Sequence, residues 1–270
     1  MIRLIVSDMD GTLLRDDGTM HKGMVPLIQG LREKGIIFIA ASGRPAFNLH
    51  EQFQEVYSEI GAIAFNGACL HYKGRIQKFS SVDPDVCRGI VKKVRKKDGI
   101  YVNMDGIDTS YLEDLECPLW EWKEAREHMK VENLEYVVER EPIYRVSVMK
   151  KMGNEYPEEI AEMLEEYRGK AELIRSDSRG MDLSGLGNSK GRALEWIQDF
   201  LKVTPEETMV FGDYYNDKEL FLRAKYSFAP INACEEITSL AWKIIGDHNQ
   251  DSVYDTIQNY LNSEKEFPEK

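Results

Sequence analysis

The chain has 270 residues, with 47 acidic against 35 basic side chains and a formal net charge of −12. At 42% hydrophobic and 30% charged residues it reads as a globular protein of one large or two modest domains, not as a disordered chain. A pI near 5.0 argues against nucleic acid as a partner, and no apolar run approaches the roughly 18 residues that a membrane span needs.

In chain order, residues 2–7 form an apolar run broken only by Arg3, as expected of a strand buried on both faces. Two Asp within the first ten residues argue against a signal peptide. A helical pattern over 24–34 stops at Gly35, a C-cap residue. Residues 36–41 are a second buried strand, Pro45 opens another helix, and 61–65 is a third strand. Lys73-Gly74 between two short runs predicts a hairpin.

From 83 to 184 the pattern changes. Helices over 84–97 and 156–168 mix with strands that include 100–103, 143–149 and 171–175, and the Trp- and Glu-rich stretch 115–129 predicts a further short helix. Alternation then returns with a helix over 189–201, a strand over 208–211 and a helix over 216–224. The expectation is an α/β protein: a Rossmann-like parallel-sheet core from residues 1–80 and 185–270, with a second, inserted α+β domain over 81–184. The charged tail 263–270 is expected to fray. Cys69, Cys87, Cys117 and Cys234 are scattered with no CxxC pair, which points to reduced thiols, a cytoplasmic protein and no zinc site.

Five features bear on chemistry. Asp8-Met9-Asp10-Gly11-Thr12 follows the first strand, and in open α/β sheets ligands sit beyond the carboxyl ends of strands, so both carboxylates project into a crevice. Ser42-Gly43-Arg44 follows the second strand and offers a hydroxyl, a backbone N–H and a guanidinium to an anion. Asn66-Gly67 after the third strand is a turn within reach of a substrate. Lys190 opens a helix, where a cation opposes the helix dipole unless it meets an anion. Gly212-Asp213-Tyr214-Tyr215-Asn216-Asp217 follows the strand over 208–211, and carboxylates at i and i+4 beside a glycine suit a hard cation.

Each feature also has a plain reading: a turn, a surface Lys, or a helix cap at Asp213 or Asn216. Met104-Asp105-Gly106 repeats residues 9–11 without the preceding Asp and reads as a hairpin turn. Gly187-Asn188-Ser189-Lys190-Gly191 matches the serine-nucleophile pattern G-x-S-x-G, with His248 downstream, but only about 80 residues follow it, little for a hydrolase sheet.

The ordered set Asp8-x-Asp10-Gly11-Thr12, Ser42, Lys190 and Gly212-Asp213-x-x-Asn216-Asp217 resembles the four motifs of the haloacid dehalogenase-like hydrolases. An insertion between the second and third motifs is similar to the large cap of the Cof-type subgroup. The resemblance spans nearly the whole chain and implies a Mg²⁺-dependent phosphatase of small phosphorylated metabolites, such as sugar phosphates or a phosphorylated cofactor, working through an aspartyl-phosphate.

It assigns Asp8 as nucleophile and Asp10 as general acid and base, with Ser42 and Lys190 on the phosphoryl oxygens. Asp8, the Asp10 main chain and Asp213 are implied to hold the metal, with Thr12 and Asp217 supporting them from behind. Gly43, Arg44, Asn66 and Asn216 are implied to meet the substrate. Tyr111, Trp120, Trp122, Arg145 and Arg179 are candidates for the cap's contribution. The alternatives are a sugar phosphomutase using the same phospho-Asp and a non-enzymatic phospho-acceptor, with the Ser189 hydrolase more distant. Monomer and homodimer are both compatible with the sequence.

Overall fold

Leu4, Ile5 and Val6 are wholly buried because the strand they form has a parallel neighbour on each side. The computed structural model describes residues 1–118, 128–150, 158–175 and 180–263. The first part runs β1 (Leu4–Asp8), α1 (Met24–Glu33), β2 (Ile37–Ala41), α2 (Ala46–Gln52), β3 (Gly61–Ala64) and the hairpin β4 (Cys69–Tyr72) to β5 (Arg75–Lys78). The middle part runs α3 (Pro84–Val94), β6 (Ile100–Asp105), β7 (Ser110–Leu112), β8 (His128–Lys130), α4 (Leu134–Val138), β9 (Arg145–Lys150), α5 (Glu158–Leu164), β10 (Ala171–Ile174) and β11 (Gly180–Gly185). The last part runs α6 (Lys190–Leu201), β12 (Thr208–Phe211), α7 (Lys218–Leu222), β13 (Tyr226–Pro230), α8 (Glu235–Leu240), β14 (Lys243–Ile245) and α9 (Ser252–Asn262).

Two sheets result. The first has the order β14-β13-β12-β1-β2-β3-β4-β5, parallel from β14 to β3, with the antiparallel hairpin at one edge. Apolar clusters cover both of its faces: α1, α2 and α9 supply Leu27, Leu49 and Ile257 to one, and α6 to α8 supply Leu194, Leu220 and Ile237 to the other. The second sheet has the order β10-β11-β9-β6-β7-β8 and is antiparallel except for the β7–β8 pair. The chain is therefore an α/β protein with a Rossmann-like parallel-sheet core and an inserted α+β layer.

The second sheet has unlike faces. Val102, Met104, Val146, Val148 and Leu183 join α3 to α5 in one apolar cluster. Alternation turns Asn103, Asp105, Arg145, Ser147, Asp182 and Ser184 to the opposite side, where cross-strand pairing sets Asn103 against Ser147, Asp105 against Arg145 and Ser147 against Asp182. This polar face is buried as well: Asn103 and Asp105 are 0% exposed.

The two chain crossings between the sheets lie side by side. Asn188 receives the Ser80 N–H on Oδ1 (3.1 Å) and donates from Nδ2 to the Ser80 carbonyl (2.6 Å) and to Ser184 Oγ (3.0 Å).

Several predicted ends move. The third strand stops at Ala64 because Phe65 and Asn66 turn left-handed, and the helix expected over 216–224 splits into a 3₁₀ turn, Tyr215–Asp217, and α7. Asp105-Gly106 is a hairpin turn, with the Gly106 N–H bonded to the Thr109 carbonyl. The predicted helix within 115–129 falls mostly on residues outside those described, as do Trp120, Trp122 and Arg179. No disulfide joins any of the four cysteines, and no helix among the described residues is long and apolar enough to cross a membrane.

Candidate active site

Parallel strands deliver their C-terminal ends to one edge of the sheet, and the motif residues gather there. Asp8 ends β1, Ser42 follows β2, Asn66 follows β3, and Asp213 follows β12. Lys190 opens α6, whose N-cap Ser189 accepts the Arg192 N–H at 3.0 Å. Its ammonium is completely buried and lies 2.5 Å from Asp8 Oδ1 and 2.7 Å from Asp217 Oδ1. The other oxygen of Asp217 receives the backbone N–H groups of Asp213 (3.1 Å) and Tyr214 (3.2 Å). Capping in this loop thus falls to Asp217 and not to Asp213 or Asn216.

Thr12 Oγ1 donates to Asp213 Oδ1 at 2.7 Å, tying the loop after β1 to the loop after β12. Gly11 makes that approach possible: its φ is +75°, and a Cβ there would stand 2.6 Å from Asp213 Oδ2. On its other side the Gly11 carbonyl accepts from Asn232 Nδ2 at 2.8 Å, a contact that the run Ala229-Pro230-Ile231-Asn232-Ala233 does not reveal by itself.

The electrostatics are those of a site short of positive charge. Carboxylate oxygens of Asp8, Asp213 and Asp217 lie within 4.8 Å of one another, opposed by one ammonium. Burial, and then the Asp217 charge, push the Asp8 carboxyl well above the usual range. The same two causes lift Asp213 to about 6. Burial alone would disfavour charged Lys190, but Asp217 and Asp8 together outweigh it and raise its pKa. Clustered hard oxygen donors that repel one another fit a divalent cation such as Mg²⁺, which would relieve that repulsion.

Asp10 turns its side chain away from the carboxylate cluster. Its carboxylate is 57% exposed and turned to Arg44, whose Nε and Nη2 reach it at 2.9 and 2.5 Å. Its side chain therefore stands outside the three-carboxylate cluster, and Asp217 stands inside it. Ser42 Oγ accepts the Arg44 N–H at 3.0 Å.

The polar face of the second sheet closes the site from above. Arg145 donates from Nη1 to the Gly43 carbonyl (2.7 Å) and from Nε to the buried Asp105 (2.6 Å), which Asn103 and Ser110 also hold. Asp182 accepts from Ser147 at 2.5 Å and from Asn66 Nδ2 at 3.3 Å, and Asn66 Oδ1 accepts from Asn216 Nδ2 at 2.9 Å. Of the expected cap residues, Arg145 reaches the site, whereas Tyr111 donates to Glu141 within the cap layer. Asp105, Ser147 and Asp182 have no sequence motif; the alternation Met181-Asp182-Leu183-Ser184 was the available signal. Ser189 is engaged with Glu219 and His248 with Asp16, so the serine-triad arrangement does not assemble.

A family model described as haloacid dehalogenase-like hydrolase matches residues 5–257. The chain is 26% identical over 273 residues to the 5-amino-6-(5-phospho-D-ribitylamino)uracil phosphatase YbjI of Escherichia coli, covering 98% of each chain. It is 26% identical over 226 residues to the HMP-PP phosphatase of Enterobacter sp., covering 82% of this chain and 80% of that one. A haloacid dehalogenase-like hydrolase from Bacteroides thetaiotaomicron superposes with a TM-score of 0.82 at 19% identity, over 96% of this chain and 99% of that one. Because the match runs from the first strand to the last helix and takes in every motif loop, the chain belongs to the haloacid dehalogenase-like hydrolase family.

Proposed function

We propose that the chain is a Mg²⁺-dependent phosphatase of small phosphorylated metabolites that works through an aspartyl-phosphate on Asp8. The observation that carries this is the wholly buried Lys190 gripping Asp8 and Asp217, with Asp213 beside them, at the carboxyl ends of β1 and β12. Relatives matched along most of their length carry phosphatase names with small phosphorylated substrates, in keeping with this reading.

An oxygen of Asp8 attacks phosphorus, the bond to the leaving oxygen breaks, and Asp10 gives that oxygen a proton. Water then attacks the acyl phosphate as Asp10 takes its proton back, releasing phosphate and restoring the Asp8 carboxylate. Lys190 and Ser42 donate to the phosphoryl oxygens, and Lys190 also orients Asp8. Asp8, Asp213 and the Asp10 main chain would hold the cation, with Thr12 and Asp217 fixing Asp213 and its loop. When bound, the cation offsets the carboxylate charge and draws in the phosphate dianion. In the free protein Arg44 clasps Asp10; a substrate anion that engages Arg44 releases that carboxylate to the leaving group. Gly43, Asn66 and Asn216 line the approach. Four cysteines that form no disulfide suit a reducing cytoplasm.

Asp8→Asn tests the reading in a screen of phosphorylated metabolites with Mg²⁺. Phosphate release should fall by at least about 10³-fold. Release at the wild-type rate would overturn the assignment.

A further inference from the structure

Asn66 occupies a turn that has little freedom to move. Phe65, Asn66 and Gly67 have φ of 52°, 53° and 95°, a left-handed run that side chains other than glycine seldom adopt. Phe65 and Asn66 are both buried, and such backbone is strained unless its surroundings impose it. Here they do: a Cβ on Gly67 would lie 2.0 Å from the Ser189 carbonyl oxygen, so the turn rests directly against the residue preceding Lys190.

The turn aims one amide at two partners, one on the second sheet and one in a loop at the end of the first. Asn66 Nδ2 donates to Asp182 on β11, and Asn66 Oδ1 accepts from Asn216 in the Asp213–Asp217 loop. The polarity of this chain is set at its Asp182 end. A carboxylate oxygen accepts, so Asn66 must turn Nδ2 to it and present Oδ1 to Asn216, which must then donate. A carboxylate on the second sheet therefore decides which end of the Asn216 amide is turned to Asn66.

We propose that Asn66 is a positioning residue that transmits the seating of the second sheet, at Asp182, to the Asn216 amide. Only the kinetic arm of the test below rests on the phosphatase reading.

Amide hydrogen exchange on the full chain reads the relay at Asp213, Tyr214 and Asp217, whose N–H groups are all hydrogen-bonded. Asn66→Gly keeps the left-handed turn and removes the amide. Asn66→Asp keeps an acceptor for Asn216 but sets a carboxylate against Asp182. Asp182→Ala and Asn66→Gly should each speed exchange at the three amides by about tenfold, with no further gain in the double variant. On the Asn66→Asp background, Asp182→Ala should leave those amides unchanged. Wild-type exchange in Asp182→Ala, or additive effects in the double variant, would overturn the relay.

With p-nitrophenyl phosphate and Mg²⁺, Asp182→Ala should lower kcat by about tenfold at constant KM. A rise in KM alone would make these residues substrate contacts and overturn the relay. No turnover by the wild-type chain would count against the proposed function and leave the exchange result standing.

Discussion

The two sheets use opposite solutions to the problem of carrying polar groups. In the first, both faces of β1, β2 and β12 are given to hydrophobic packing, and chemistry is confined to the strand ends. In the second, one face is apolar and the other carries Asn103, Asp105, Arg145, Ser147 and Asp182 across three strands. A strand end places one or two side chains and leaves the sheet's core intact. A polar face places many, but each must find partners, because an unsatisfied buried polar group costs about 1–3 kcal/mol. The strand ends hold the clustered carboxylates; the face offers breadth.

Substitutions can separate the two solutions. The largest effect is expected at Lys190. Lys190→Met leaves Asp8 and Asp217 buried without their cation and should cost about 3–5 kcal/mol in urea unfolding, along with all phosphatase activity. A stable, active variant would mean that the strand-end cluster does not depend on this ammonium.

The next test sets one face of the second sheet against the other. Leu183→Ala opens a cavity in the apolar cluster and should lower stability by about 2–5 kcal/mol without changing kcat. Ser147→Ala removes one donor to Asp182 and should cost only about 1 kcal/mol, while lowering kcat for a phosphate ester about fivefold at constant KM. Equal stability losses with unchanged kcat in both would erase the distinction between the faces.

The smallest effect is the pH dependence of metal stabilisation. Asp213, lifted from the ordinary 3.8 to about 6, binds its proton more tightly in the folded chain than in the unfolded one. Metal-free stability therefore declines as pH rises through that window, and the raised Asp8 carboxyl acts in the same sense. A cation competes with those protons. The rise in Tm produced by Mg²⁺ should be several degrees at about pH 8 and shrink at about pH 5. An equal rise at both would show that these carboxyls are not where the ion binds.

The contrast between the sheets also explains what could be read from the sequence. Strand ends are local: a buried run followed by Asp8-Met9-Asp10-Gly11-Thr12, or by Gly212-Asp213, states both the element and where its last side chains point. That is why Asp8, Asp213, Asp217 and Lys190 were identified and do converge. The polar face is not local. Asp105 looked like a turn residue, and it does precede a turn, but its meeting with Arg145 depends on strands 40 positions apart. Asp182 and Asn66 are separated by 116 positions, and no spacing rule connects them. The direction of Asp10 escaped for a different reason: both Arg44 and a phosphoryl group are plausible partners by chemistry, and only geometry shows which one holds it in the free protein. The 3₁₀ turn at Tyr215–Asp217 was missed because Asp217 spends its carboxylate on Lys190 and two backbone N–H groups instead of letting the helix begin earlier.

The clasp between Asn188 and Ser80 has a consequence for modularity. The chain leaves the first sheet and re-enters it at points a hydrogen bond apart, so the two covalent connections of the inserted layer meet the core at nearly one place. A few residues of linker would join the two ends without disturbing the order of the first sheet's strands. Seen this way, the layer is an exchangeable cassette: a different insert grafted between Ser80 and Asn188 could bring another recognition surface to the same carboxylates, and the fold could acquire new substrates without rebuilding its catalytic floor.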